Sequence, residues 1–327
     1  MATHIGILPL DIMQTLSATL EQKDRVNAST GLSFIRLPHP RTAQGISSLF
    51  LPSETLADAS ISCPPSKILE IQAVSPPDPR SWFLGQEVVA DGKLLIITPI
   101  DPTFLLIPIL QAVHSNDGTA GNYRPADDIF EDASLKLQKP DESDNASVLG
   151  NDIIRFGSIG CVKDALRHIC DIKEITPTIV VYRLSQPKVL EYLRRKVSRL
   201  SAPDALEVSK TTIRGLARDG LMEDGKETLL QVGRIRAACD LLSHYLPSDV
   251  RALLIGSYDF TELDAYFKSM NDEVAAAAVE AKGKIKDKST TGDDKKRKGA
   301  KGSQGVEKLK KANVNGMAKL SSFFKKV

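Results

Sequence analysis

Apolar positions change their spacing once along this chain, near Asp101. Before it they fall in short runs or alternate with polar residues, the period of strands; after it they recur every three or four residues, the period of amphipathic helices. Residues 4–10 (HIGILPL) predict a short edge strand, because Pro9 has no N–H to give to a ladder. Residues 32–37 are a stronger strand, stopped by Pro38-His39-Pro40-Arg41. Residues 47–51 and 68–74 are two more, divided by the loop around Cys63-Pro64-Pro65. Residues 81–89 and 93–98 are predicted to pair as a hairpin across Asp91-Gly92, with Thr98-Pro99 ending the second strand. About six short strands in roughly 100 residues predict a small barrel or sandwich. So few strands leave open edges, and a second chain that continues the sheet is one way to cover them.

Asp101 is placed to cap the next helix by accepting from its free N–H groups, and Pro102 suits the first helical position. The FLLIPIL that follows is apolar on nearly every face. It is far shorter than the roughly 20 residues that cross a bilayer, so it must be buried either in a large core of this chain or against another chain. Residues 115–151 read as a long polar loop. Residues 162–170, 187–200, 205–218, 229–245 and 262–270 read as amphipathic helices, with 178–184 as a short strand beside them. The expected class is α+β. Residues 1–100 form a small β-barrel half, 101–272 a mostly helical, winged-helix-like domain, and 273–327 a basic tail too poor in apolar residues to fold, apart from a helical extension through 275–281.

Charge sharpens the last boundary. The whole chain carries a formal +2, but residues 282–327 hold 15 Lys and Arg against 4 acids, leaving residues 1–281 at −9. Such a body lacks the broad basic surface of a protein that coats nucleic acid, and allows only a local patch. The best candidate patch is the helix at 187–200, where Lys188, Arg194, Arg195, Lys196 and Arg199 oppose Glu191 alone. These residues either pair with phosphates or with acidic neighbours and a partner chain. Cys63, Cys161, Cys170 and Cys239 have neither CxxC nor His-x-x-x-His spacing, which predicts reduced thiols in an intracellular protein rather than zinc ligands or disulfides. No basic region precedes an apolar one at the N-terminus, and no run is long enough to span a membrane, so neither secretion nor membrane insertion is expected.

Enzyme chemistry finds little to work with. A two-metal nuclease needs carboxylates converging on a metal pair roughly 4 Å apart. Here Asp127, Asp128, Glu131, Asp132, Asp141, Glu142 and Asp144 fall in the polar stretch and read as a solvated acidic loop, while Asp101 is accounted for as a helix cap. The five histidines show no ligand spacing, and neither GxSxG, GxxxxGK[ST] nor GxGxxG occurs in a suitable setting. No catalytic residue, metal or cofactor is expected on this chain.

The tail ends differently from how it begins. Lys295, Lys296, Arg297 and Lys298 form a basic run of the nuclear-localisation type, or serve only to keep the tail solvated. In MAKLSSFFKKV, Leu320, Phe323 and Phe324 stand at i, i+3 and i+4, so one helical turn gathers them on one side. This resembles the box that binds the sliding clamp PCNA, with Met317 where the box has Gln.

Together with LPHPRT at residues 37–42, Ser81-Trp82-Phe83, DGKLLIITPIDPTFLLIPIL at 91–110 and LEYLRRKV at 190–197, that ending is similar to the B subunit of eukaryotic type 2 ribonuclease H. The resemblance implies a triple barrel shared with the accessory C subunit, chemistry and magnesium in the catalytic A subunit, and a nuclear complex that cuts RNA:DNA hybrids and removes ribonucleotides from DNA. It also implies a subunit interface at Trp82, Phe83, Leu94, Leu95 and Ile96 and at Phe104, Leu105 and Leu106 of the apolar helix. The competing expectation is a stand-alone, clamp-tethered DNA-binding module without a nuclease partner.

Overall fold

A computed structural model of the chain describes residues 4–10, 12–14, 17, 34–41, 47–54, 66–78, 80–114, 121–137, 145–177 and 179–286. The chain divides into two units, Met1–Lys268 and Ser269–Val327. The first unit begins as seven strands: β1 (Ile5–Ile7), β2 (Ile35–Pro38), β3 (Ser47–Glu54), β4 (Ser66–Val74), β5 (Trp82–Leu84), β6 (Glu87–Val89) and β7 (Leu94–Ile100). Five of them form one sheet in the order β1-β7-β4-β3-β2, with β1 parallel to β7 and the other pairs antiparallel.

The register sorts this sheet into two faces, since successive side chains point opposite ways. Ile35 and Phe50 lie opposite each other on one face, with Ile68 and Ile100 further along it, and these join the core beneath the helices. Leu51, Leu69, Ile71 and Ile97 lie on the other face, in a small cluster with Leu8 and the buried Ile12.

The helices follow as α1 (Pro102–Val113), α2 (Ala126–Leu137), α3 (Asn145–Ser158), α4 (Gly160–Ile169), α5 (Gln186–Leu200), α6 (Pro203–Glu207), α7 (Lys210–Arg218), α8 (Glu227–Ser243), α9 (Ser248–Gly256) and α10 (Thr261–Lys286). Among them a second sheet, β8 (Arg124–Pro125), β9 (Cys170–Thr176) and β10 (Ile179–Leu184), runs in the order β8-β10-β9. The core continues without a break from the sheet into the helices. Two polar ties reinforce that junction. Tyr245 donates to Glu70 at 3.0 Å and accepts from Gln72 at 3.3 Å, while its ring packs on Phe104. Asp101, at the turn from β7 into α1, accepts from Tyr192 and Lys196 of α5.

Several expectations are corrected. The hairpin is β5–β6, and its turn is Gly85-Gln86, where Gly85 takes the positive φ of 61° that a tight reversal requires. Asp91-Gly92 closes the hairpin's base instead: Lys93 N–H donates to Asp91, and a Cβ on Gly92 would stand 2.3 Å from the Arg80 carbonyl oxygen. The next strand, β7, therefore pairs with β4 and β1 and not with its sequence neighbour β6. It also runs through Pro99. β1 reaches only Ile96, and beyond it no described strand pairs with that side of β7, where a missing N–H is tolerated.

The polar stretch 115–151 contains the short β8, all of α2 and the first half of α3. Asp127, Asp128, Glu131 and Asp132 thus sit on α2 rather than in a loop, while Asp141, Glu142 and Asp144 lie outside the described residues. Asp127 and Asp128 occupy the first turn, where the helix dipole favours negative charge, and Ile129, Phe130 and Ala133 face the core. The strand expected at 178–184 has two sheet partners, β8 and β9. The helix expected at 205–218 is two, α9 is an addition, and α10 joins the helix expected at 262–270 to the extension expected through 275–281 and runs on to Lys286.

Candidate subunit interface

α1 forms because Asp101 accepts from Thr103 N–H at 3.0 Å and Pro102 supplies a preset first residue. Thr103 through Leu110 are all buried, and Phe104, Leu105 and Leu106 belong to this chain's own core. Their expected place in a subunit interface is therefore corrected: α2, α4 and the sheet already cover them. Asp101 holds the helix down from its N-terminus. Its second oxygen takes the Tyr192 hydroxyl and the Lys196 ammonium, each at 2.5 Å. Burial alone raises the pKa of this carboxyl, but the bonds from Lys196, Tyr192 and Thr103 outweigh it and hold the group below its ordinary value. Burial and the carboxylate together push the Tyr192 phenol up.

The hairpin has no such cover. Phe83 and Val88 lie opposite each other on one of its faces, 77% and 59% exposed, and Leu84 is also exposed. Trp82 is half-buried, its indole N–H bonded to the Lys93 carbonyl at 3.2 Å. An isolated two-stranded ribbon is marginal in water, and one with Phe and Val facing solvent is suited to being covered.

A second apolar surface lies at the β1 end of the main sheet. Ile5, Leu94 and Val74 are in register, and so are Ile7, Ile96 and Gln72 one step along the same face. Ile7 and Val74 are exposed, while Leu94 and Ile96 are half-buried. Leu95 turns to the opposite face, against Gly6.

The two edges of the sheet differ. At β2, the Arg36 N–H donates to the buried carboxylate of Asp152 on α3 at 2.8 Å, so this chain occupies its own edge there. At the other edge, no described strand pairs with the outer side of β1, and residues 97–100 of β7, paired with β4 on one side, have no described strand on the side where β1 ends.

The basic helix α5 separates into tied and free groups. Lys188 donates to the Cys170 carbonyl at 2.8 Å and pairs with Asp171 at 3.3 Å, and Lys196 pairs with Asp101. Arg194 lies over the Tyr258 ring, and Arg195 lies near both Glu191 and Tyr192. Only Arg199 among the five is exposed with no partner among the described residues.

Cys170 and Cys239 are buried thiols, which burial pushes up to about 12 and about 11, and Cys161 is half-buried; Cys63 lies outside the described residues. The expected localisation run, Lys295 to Lys298, and the expected clamp-binding residues, Met317, Leu320, Phe323 and Phe324, also lie outside them. Sequence reasoning missed Val88, Ile7 and Val74. The exposed pair Phe83–Val88 becomes visible only once Gly85 is recognised as the turn, because the turn fixes which residues face each other.

Residues 23–101 match the triple barrel domain of the Ydr279p protein, and residues 104–255 match the wHTH domain of the Ydr279p family, an RNase H2 complex component. The ribonuclease H2 B subunit of Xenopus tropicalis is 29% identical over 308 residues, covering 92% of this chain and 89% of the relative. The B subunits of Schizosaccharomyces pombe and Homo sapiens are each 25% identical, over 306 and 300 residues, covering 91% and 90% of this chain and 96% and 86% of theirs. With a triple barrel domain followed by a winged helix-turn-helix domain, the chain belongs to the family of ribonuclease H2 B subunits, a component of that complex.

Proposed function

We propose that this chain scaffolds a heterotrimeric type 2 ribonuclease H by sharing strands with the C subunit, and that its tail tethers the assembly to PCNA. The observation that carries the scaffold reading is the pair of uncovered apolar surfaces, Phe83 with Val88 and Ile7 with Val74, beside a sheet edge that no described strand occupies. Covering one such side chain is worth about 2 kcal/mol, whichever chain supplies the cover. In this reading cleavage of the RNA strand, and the magnesium it needs, belong to the A subunit. The complex works in the nucleus on RNA:DNA hybrids and on ribonucleotides built into DNA. The tail, with Leu320, Phe323 and Phe324 as anchors and Lys295 to Lys298 as the import signal, raises the local concentration of the complex at clamp-loaded DNA.

The test is co-expression of the full chain with the A and C subunits. Phe83→Asp with Val88→Asp is expected to cut co-purification of the C subunit at least tenfold. Full recovery of the complex would remove the hairpin from the interface. Changing Phe323 and Phe324 to Ala is expected to abolish capture by immobilised PCNA with the complex intact; undiminished capture would dispose of the tether.

A further inference from the structure

α3 ends at Ser158 and α4 begins at Gly160, so one residue, Ile159, turns the chain between them. α4 then passes directly into the β9–β10 ribbon at Cys170. Val162, Ala165, Leu166 and Ile169 are the buried residues of α4, and at helical spacing this leaves Lys163, Asp164, Arg167 and His168 exposed on its outward side. α5 lies alongside. The His168 ring stacks on Tyr192 with centroids 5.3 Å apart, and the Arg195 guanidinium lies 5.9 Å from the same Tyr192 ring. Arg199 follows Arg195 by one turn on the exposed side of α5.

The cations on this surface are differently placed from the two lysines of α5. Lys188 and Lys196 are held by Asp171 and Asp101. Lys163, Arg167 and Arg199 are exposed and have no hydrogen bond or ion pair among the described residues, and Arg195 has only a 3.8 Å contact with the exposed Glu191. Such long cationic side chains keep their full hydration until a polyanion displaces it.

We infer that Lys163 and Arg167 of α4, with Arg195 and Arg199 of α5, form a site for the phosphate backbone of a nucleic-acid duplex. Phosphates suit the site because its donors are spread along two neighbouring helices and not focused in a pocket. The site positions a duplex without reading it. Asp164 stands near the middle of the outward face of α4 and repels phosphate locally, so the contacts fall to the lysine and arginines on either side of it. The inference depends neither on strand sharing nor on the tail. It replaces two of the five cations expected from sequence, Lys188 and Lys196, by Lys163 and Arg167, and leaves Arg194 to Tyr258.

The experiment measures binding of the full chain to 20-base-pair duplexes, one DNA and one RNA:DNA hybrid, each in two unrelated sequences, and to polyglutamate, across a salt series. Lys163→Ala with Arg167→Ala is expected to weaken binding of all four duplexes roughly tenfold near 0.1 M salt and to lower the slope of log affinity against log salt by about 2. Arg195→Ala with Arg199→Ala, on the other helix, is expected to do the same. Arg251→Ala, an exposed site on α9, serves as the control that does not. Affinity and slope unchanged in both double variants would overturn the inference and assign duplex binding to the tail, which carries 15 basic residues from Lys282 onward. Loss of polyglutamate binding with duplex binding intact would overturn it in favour of an acidic protein partner.

Discussion

α1 and the β5–β6 hairpin are both rich in apolar residues, and both hold residues that carry the resemblance to the B-subunit family. Yet the structure treats them oppositely. The FLLIPIL of α1 is sealed inside this chain, whereas Phe83 and Val88 stand in solvent. What separates them is backbone pairing and not hydrophobicity. α1 satisfies its own backbone and is anchored by Asp101 at one end, so the rest of the fold can close around it. The hairpin satisfies only its inner hydrogen bonds and has one layer of side chains, with nothing described above it. A hydrophobic run thus indicates that burial will happen; the element it belongs to decides whether this chain or another provides it.

The sharpest way to break this comparison is to truncate one side chain in each element. Leu105→Ala removes a side chain that is 0% exposed and is expected to lower the unfolding free energy by about 3 kcal/mol, measured by urea denaturation of the lone chain. A loss below about 1 kcal/mol would mean that α1 is not the centre of this core.

Asp101→Asn comes next. It leaves Lys196 without its counter-charge and is expected to cost about 2 kcal/mol at neutral pH. Because the folded pKa of Asp101 is depressed, its contribution is complete above the ordinary value of 3.8 and is lost as the pH falls through the folded value. The stability gap between parent and variant should therefore be constant near neutrality and shrink in acid below that value. A gap that widens in acid would contradict the assignment.

The smallest stability effect is expected for the hairpin variant Phe83→Ala with Val88→Ala, within about 1 kcal/mol for the lone chain, because the pair is exposed and only its cross-strand contact is lost. A large loss of stability in the lone chain would mean that the hairpin packs on its own body.

Much of this architecture is legible in the amino-acid order where local chemistry decides it. Asp101-Pro102 marks the start of α1, the runs at residues 47–51 and 68–74 lie within β3 and β4, and α5 differs by one residue from the helix expected at 187–200. What escapes is set by distant partners. β9, with the sequence CDIKEIT, carries three charges and becomes a strand because β10 pairs with it. α2 hides because its exposed acids dominate its composition, although Ile129, Phe130, Ala133 and Leu137 keep helical spacing and Asp127 and Asp128 mark its first turn. The interface is half legible for a related reason. Sequence identifies Trp82 and Phe83 as apolar, but only the register against Val88 and Val89 shows that Phe83 faces outward and that Trp82 is held back by Lys93.

The bond from the Arg36 amide to Asp152 has a consequence for assembly size. A sheet with two live borders can recruit neighbours without end, and that is how edge pairing turns into fibres. Here one border is stoppered by the chain's own carboxylate, so any strand added to the described sheet has one side to join and not two. One amide and one aspartate thereby halve the ways in which this sheet could be extended.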